Sequence, residues 1–269
     1  MPRRVFHRTR LLAPHRGGFT LIELLVTVAI VVILLAVMLP ALGKGISSAR
    51  TFKCQLSLRG IAFDFAIFAD DELHGSRGHD ENLYGGRKFS LQTFIESQYG
   101  VDEFWSYGDE QIVYRPDSAD QDMMRCSEVN AKVEMRRNTP CLMGAVGPTQ
   151  ALSFGFNYRL FRIEYLNASG NPRTKEIQLS GSILHNPLVP LVWDIDGHSA
   201  AENGELGMLS TPPDPGSIGP YLTDIYWFPG RRHAGRTNVA LIDGSVAATA
   251  DPLAEASWRW HFQPGPSGR

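Results

Sequence analysis

The sequence predicts an α+β protein: a long N-terminal helix, membrane-spanning in its first half, packed on a C-terminal antiparallel β-sheet head. Three observations predict it. Residues 19–39 are an apolar run interrupted only by Thr20, Glu23 and Thr27. Residues 54–68 carry apolar side chains at helical spacing. The last third of the chain holds extended segments, among them two that flank the turn pair Asp243-Gly244.

At about 1.5 Å per helical residue, the apolar run reaches roughly 31 Å, the thickness of a bilayer core. Residues 1–18 contain Arg3, Arg4, Arg8, Arg10 and Arg16 and no Asp or Glu. The positive-inside rule therefore places this end in the cytoplasm and everything after residue 39 on the other side. A secretory signal would have a shorter apolar core, about 7–15 residues, before a small-residue cleavage site. Here the only such site, Ala41-Leu42-Gly43, follows Pro40. An ionised carboxylate near the centre of such a helix costs about 3 kcal/mol or more, and even close to the interface Glu23 calls for a partner.

Residues 40–74 continue the helix on the exported side. Pro40, Gly43 and Gly45 each weaken helix by about 1–3 kcal/mol and predict a kink or a weak segment just above the membrane. Beyond them Cys54, Leu58, Ile61, Phe65 and Phe68 recur at helical spacing, one apolar stripe. Leu56, Phe63 and Ile67 widen it, so the helix should bury much of its girth against its own head and against neighbouring copies. "HGSRGH" at 74–79 and the glycines after it end the helix.

Residues 75–269 suffice for one sizeable head domain. Within it "SLQTFIESQYG" reads as a helix and "EQIVYRP" as a short strand. "EIQLSGSI", "PLVPLVWDID" and "TNVALIDGSVAATA" read as strands, the last as a hairpin with residues 238–242 and 245–249 either side of Asp243-Gly244. Five of the 26 basic residues lie in residues 1–18; the other 21 stand against 28 acidic ones, a net charge of about −7 over the remainder, so no nucleic-acid partner is expected.

Gly18, Phe19 and "TLIELL" after a basic leader resemble the prepilin-type cleavage and methylation segment of type IV pilins and type II secretion pseudopilins. The resemblance implies a pilin-like fold, with residues 1–18 as a leader that a prepilin peptidase removes by cutting after Gly18. It also implies methylation of the new Phe19 amine and insertion in the inner membrane, with a periplasmic head. In that family Pro40 falls where the helix often breaks. Glu23 of one subunit would meet the Phe19 ammonium of another pilin-like subunit, so the carboxylate's counter-charge arrives by assembly on a secretion platform. A surface pilin or adhesin subunit is the nearest alternative.

Further stretches resemble a large pseudopilin-like family abundant in planctomycetes. They are "KCQLSLRGIAFDFAIFADD", "RCSE", "SFGFNY" and a closing signature of His233, nine residues, then Asp243-Gly244. The chain departs from that family at Ser57, usually Asn, at Ser127 after Cys126, usually Pro, and at Ser245, often His.

Three cysteines, Cys54, Cys126 and Cys141, would face an oxidising space. Cys54 and Cys126 sit in the stretches that resemble family motifs, which favours a tie between helix and head; a Cys126–Cys141 bridge and three free thiols are the alternatives. Asp194, Asp196 and His198, grouped with Asp243, would suit Ca²⁺, which favours carboxylate oxygens. Major pseudopilins commonly bind calcium in a late loop, but "DIDGHSAAENGE" lacks the spacing of an EF-hand. The competing reading makes these aspartates simple turn residues and His233 a polar strand cap. No H-E-x-x-H, G-x-S-x-G or phosphate-cradling glycine loop is present, so no enzyme is expected. A signal-anchored binding or hydrolytic domain remains the more distant alternative.

Overall fold

The computed structural model describes residues 20–74, 88–99, 124–129, 153–203 and 208–262. Gly18, Phe19, Cys141 and the strand expected at 110–116 lie outside them. The chain forms two compact units, Met1–Ile46 and Ser47–Arg269.

Helix α1 runs over Leu21–His74. In the first unit every described residue is exposed, and large apolar side chains point to all sides, as suits a helix surrounded by lipid. Pro40 has no N–H to give the carbonyl of Ala36, yet the helix continues through Pro40, Gly43 and Gly45 without interruption. The weak segment expected there is not a break in the helix.

In the second unit α1 becomes one-sided. Cys54, Leu58, Ile61 and Phe65 are fully buried, and Phe68 nearly so. The Phe65 ring stands edge-on to Phe94 and Phe89, with centroids 5.2 and 5.8 Å away. Phe94 belongs to α2, Leu91–Tyr99, whose first turn is capped by Ser90 Oγ accepting from Thr93 N at 3.0 Å. The side chains expected to widen the buried stripe are solvent-facing instead: Phe63 is 63% exposed, with Leu56 and Ile67 at 49%; Phe52, one turn before Leu56, is 61% exposed as well.

The head sheet has five strands in the order β5-β1-β4-β6-β7. They are β1 (Phe154–Asn157), β4 (Pro190–Asp194), β5 (Leu209–Ser210), β6 (Thr237–Leu241) and β7 (Val246–Thr249). The sheet is antiparallel except that the two-residue β5 runs parallel to β1. Strands β1, β4 and β6 are buried throughout, as expected of a sheet covered on both faces. A separate hairpin of β2 (Arg162–Leu166) and β3 (Pro172–Glu176) was not foreseen. It is largely exposed and charged.

Two strand expectations need correction. "EIQLSGSI" is extended only up to Glu176. After it, Leu179 exchanges both backbone hydrogen bonds with Phe89, and Gly181–His185 is a 3-10 turn. The buried Ile177 and Leu179 serve the core there rather than a strand ladder. The β6–β7 hairpin closes on Leu241 and Ser245, with a three-residue loop in place of the two-residue turn. Gly244 takes φ +80, the left-handed residue that a three-residue loop requires, and Ile242 is buried with its N–H donating to Val189 O at 3.0 Å. A cluster of Trp193, Trp227 and Trp260, with centroids 4.9 to 5.9 Å apart, closes the far end of the core.

Replacing Phe65 with Ala should lower head stability by about 3–5 kcal/mol in chemical denaturation of the full chain in detergent, because it empties a fully buried site. Phe63→Ala on the exposed face should change it by less than about 0.5 kcal/mol.

Candidate functional site

The start of α1 is a capping box. Thr20 N and Thr20 Oγ1 both donate to Glu23 Oε2, at 2.9 and 2.8 Å, and Glu23 N donates back to Thr20 Oγ1 at 3.3 Å. Glu23 therefore has a partner within its own chain, which the sequence reading did not supply. The Thr-x-x-Glu spacing was the signal for it. One turn on, Thr27 Oγ1 donates to Leu24 O at 2.9 Å, which satisfies the other hydroxyl of the apolar run.

A second constellation lies inside the head. Cys54 of α1 and Cys126 form a disulfide with Cα atoms 5.2 Å apart, joining positions separated by 72 residues. His233 packs against it, with Nε2 3.5 Å from Cys126 Sγ and 3.4 Å from Asp194 Oδ2. Its Nδ1 lies 3.3 Å from Thr51 Oγ1 and 3.4 Å from Glu128 Oε2. Asp194, at the end of β4, has no exposure at all. Its Oδ2 also accepts from Asn238 N at 2.8 Å and its Oδ1 from Arg232 at 3.2 Å. Arg232 spends further donors on Ile195 O and Ser153 O. From α1, Gln55 Nε2 reaches Asn238 Oδ1 at 3.0 Å.

Local sequence explains how His233 gets there. Ala234 and Gly235 take φ +52 and +79, the signs of a type I′ turn, and Arg236 N bonds back to His233 O at 3.1 Å. The turn folds His233 over the beginning of β6. Gly230 lies so close to Ile195 that a Cβ there would meet the Ile195 carbonyl oxygen at 2.8 Å, so only glycine allows this approach. His233 is thus buried against Asp194 and the disulfide, not against the Asp243 of its signature.

The aspartates expected to hold calcium have separate partners. Asp196 caps the helix Gly197–Glu202, accepting from Ser199 Oγ at 2.7 Å and from the backbone N–H groups of Ser199 and His198. Burial pushes its carboxyl upward, but the Ser199 and His198 hydrogen bonds and nearby Arg232 outweigh that and hold it below the usual range. Asp243 accepts from Ser245 N and Oγ in the hairpin loop. Among the described residues, the His, Cys and carboxylate atoms grouped closely enough for a metal are those of Cys54, Cys126 and His233. Sequence reasoning missed Thr51, Glu128 and Arg232, which no local pattern marks.

Residues 14–39 match the family model described as the prokaryotic N-terminal methylation motif, a span that includes Gly18, Phe19 and Glu23. The chain carries a prepilin-type cleavage and methylation motif, and its architecture is α+β and pilin-like. Such a motif indicates a precursor similar to type IV pilins and pseudopilins. No curated protein and no solved structure shows a significant match to the chain.

Asp194→Ala should destabilise the head by about 3–5 kcal/mol in urea titration, since it leaves Arg232 and Asn238 N without their buried acceptor. Asp243→Ala in the exposed loop should cost about 1 kcal/mol or less. Because the folded Asp196 carboxyl is depressed, its contribution is present at neutral pH and lost as pH falls through the folded value. The advantage of wild type over Asp196→Asn should therefore be intact at neutral pH and shrink progressively as the pH drops below about 4.

Proposed function

We propose that the protein is a pseudopilin-like subunit of a type II secretion-like fibre. It is inserted in the inner membrane with its N-terminus in the cytoplasm and its head in the periplasm. Prepilin peptidase cuts after Gly18 and methylates Phe19, and the subunit joins other pilin-like subunits through α1 on a secretion assembly platform.

The observation that carries this reading is the methylation-motif match over residues 14–39, on a helix that is apolar and exposed all round as far as Ile46. One described helix is long and apolar enough to cross a membrane, and it is this one. Farther along α1, Phe52, Leu56, Phe63 and Ile67 recur at intervals of four, seven and four, an exposed stripe opposite the buried one. A lone surface rarely lines up such side chains, and packing between subunits in a fibre would cover them. The work of the fibre is mechanical, each added subunit lifting those before it.

Mass spectrometry of protein from membranes should find an N-terminus at Phe19 with a methylated amine. Gly18→Ala should leave the leader attached, and Glu23→Ala should be processed but poorly incorporated. Thr20→Val, which loses the capping hydroxyl and keeps the charge, should assemble almost normally. Normal fibres from Glu23→Ala, seen by electron microscopy, would refute the mechanism, and fibre length separates a short periplasmic fibre from a surface pilus.

A further inference from the structure

We propose that Cys54, Cys126 and His233, joined by Asp194, constitute a zinc-type metal site that the cluster adopts when the Cys54–Cys126 bond is reduced. The donor atoms of Cys54, Cys126 and His233 lie within 4.8 Å of one another, and all three residues are buried. His233 Nε2 is 3.5 Å from Cys126 Sγ and 3.4 Å from Asp194 Oδ2. A tetrahedral ion with Zn–S of about 2.3 Å and Zn–N and Zn–O of about 2.0–2.2 Å sets sulfur and nitrogen about 3.6 Å apart, and nitrogen and oxygen about 3.4 Å apart. Both spacings around His233 already match; the carboxylate of Asp194 lies outside the close group of three donors and would have to move toward the sulfurs to complete the tetrahedron. The sulfur–sulfur edge would open to about 3.8 Å once the covalent bond is gone.

The surroundings fit the same ion. Asp194 Oδ2 and Cys126 Sγ converge on one ring nitrogen, Nε2, a position that an N–H or a bound metal ion can fill. The other nitrogen, Nδ1, faces Glu128 Oε2 at 3.4 Å and Thr51 Oγ1 at 3.3 Å, the outer partners that orient a metal-bound imidazole. Two thiolates and Asp194 carry three negative charges; a divalent ion leaves one, which Arg232, 3.2 Å from Asp194 Oδ1, offsets. Thiolate and imidazole donors select zinc over calcium. This site is distinct from the calcium set expected of Asp194, Asp196 and Asp243, sharing only Asp194 with it.

The exchange between the two forms balances simply. A dithiol gives two electrons and two protons to the Cys54–Cys126 bond and leaves as a disulfide, and the metal ion then displaces both thiol protons. An oxidising compartment keeps the disulfide. Where thiol reductant meets the folding chain, the ion ties α1, the 124–129 segment and His233 together in place of the bond. Because every donor is buried, the ion enters as the head folds and not onto the finished fold.

The test uses the full chain in detergent micelles, unfolded, reduced with a phosphine and refolded with Co²⁺ or Zn²⁺. We expect one Co²⁺ per chain, with the visible bands of tetrahedral cobalt and a thiolate-to-metal band in the near ultraviolet, all lost on adding Zn²⁺. Cys141→Ser should bind as wild type does, and Glu128→Gln should bind about 10–100-fold more weakly. In unsubstituted protein, Zn²⁺ should slow alkylation of Cys54 and Cys126 but not of Cys141, read by mass spectrometry. This readout does not depend on any variant folding. Equal labelling of Cys54 and Cys126 with and without Zn²⁺, or a cobalt spectrum without the thiolate band, would overturn the proposal.

Discussion

Asp194 is a carboxylate without any solvent exposure at the end of a central strand, and the head is arranged around satisfying it. Burying an unpaired ion would cost several kcal/mol, so the fold must deliver donors to it from distant parts of the chain. It does so with Asn238 N at the start of β6, with Arg232 from the loop before it, and with the ring of His233. These donors reach Asp194 because Gly230 permits close approach to Ile195 and because Ala234 and Gly235 accept positive φ. Through His233 and Gln55 the same network extends to α1, where the disulfide fixes the helix to the 124–129 segment. A link across 72 residues strongly restricts the unfolded chain and is worth about 2–4 kcal/mol by that route. The helix, the central strand and the closing hairpin therefore meet at one point.

Helix α1 answers to two different media along one continuous run of hydrogen bonds. Its first unit needs no apolar partner inside the chain and has none, since every described side chain there is exposed. From Ser47 onward, one face is committed to the head core by Cys54, Leu58, Ile61 and Phe65. The opposite face keeps Phe52, Leu56, Phe63 and Ile67 outside. A helix apolar on both faces but buried on one has the composition of an element with a second packing partner, which the proposed fibre supplies.

How much of this was legible depended on the range of the interaction. The membrane run, the helical stripe and the terminal hairpin are set by neighbours within a few residues, and their patterns could be read directly. "EIQLSGSI" misled because its apolar residues serve a single bridge to Phe89 and the core, and alternation alone cannot tell that from a strand. Thr20-x-x-Glu23 was readable as a capping box, but the glutamate drew attention to lipid and away from its own helix terminus. The His233 signature names Asp243 along the chain and leaves their contact open, whereas the contact His233 makes is with Asp194 on the neighbouring strand β4. Strand pairing decides that partner, and strand pairing is not local. Glu128, Thr51 and Arg232 were out of reach for the same reason.

The capping box also changes what Glu23 requires of a neighbour. Both Thr20 donors converge on Oε2, and Oε1 has no partner among the described residues. Such a cap satisfies hydrogen bonds and orders the first turn, which stabilises the helix by about 1 kcal/mol, but it adds no positive charge. The carboxylate is held in a fixed direction with its charge unneutralised and one oxygen open. In an isolated subunit it remains tolerable only close to the interface, where water reaches it. In the proposed fibre, an ammonium group of an adjoining subunit would bind a preorganised acceptor and lose less side-chain entropy than with a freely rotating glutamate. The local cap and the contact between subunits are therefore complementary, the first presenting the group that the second neutralises.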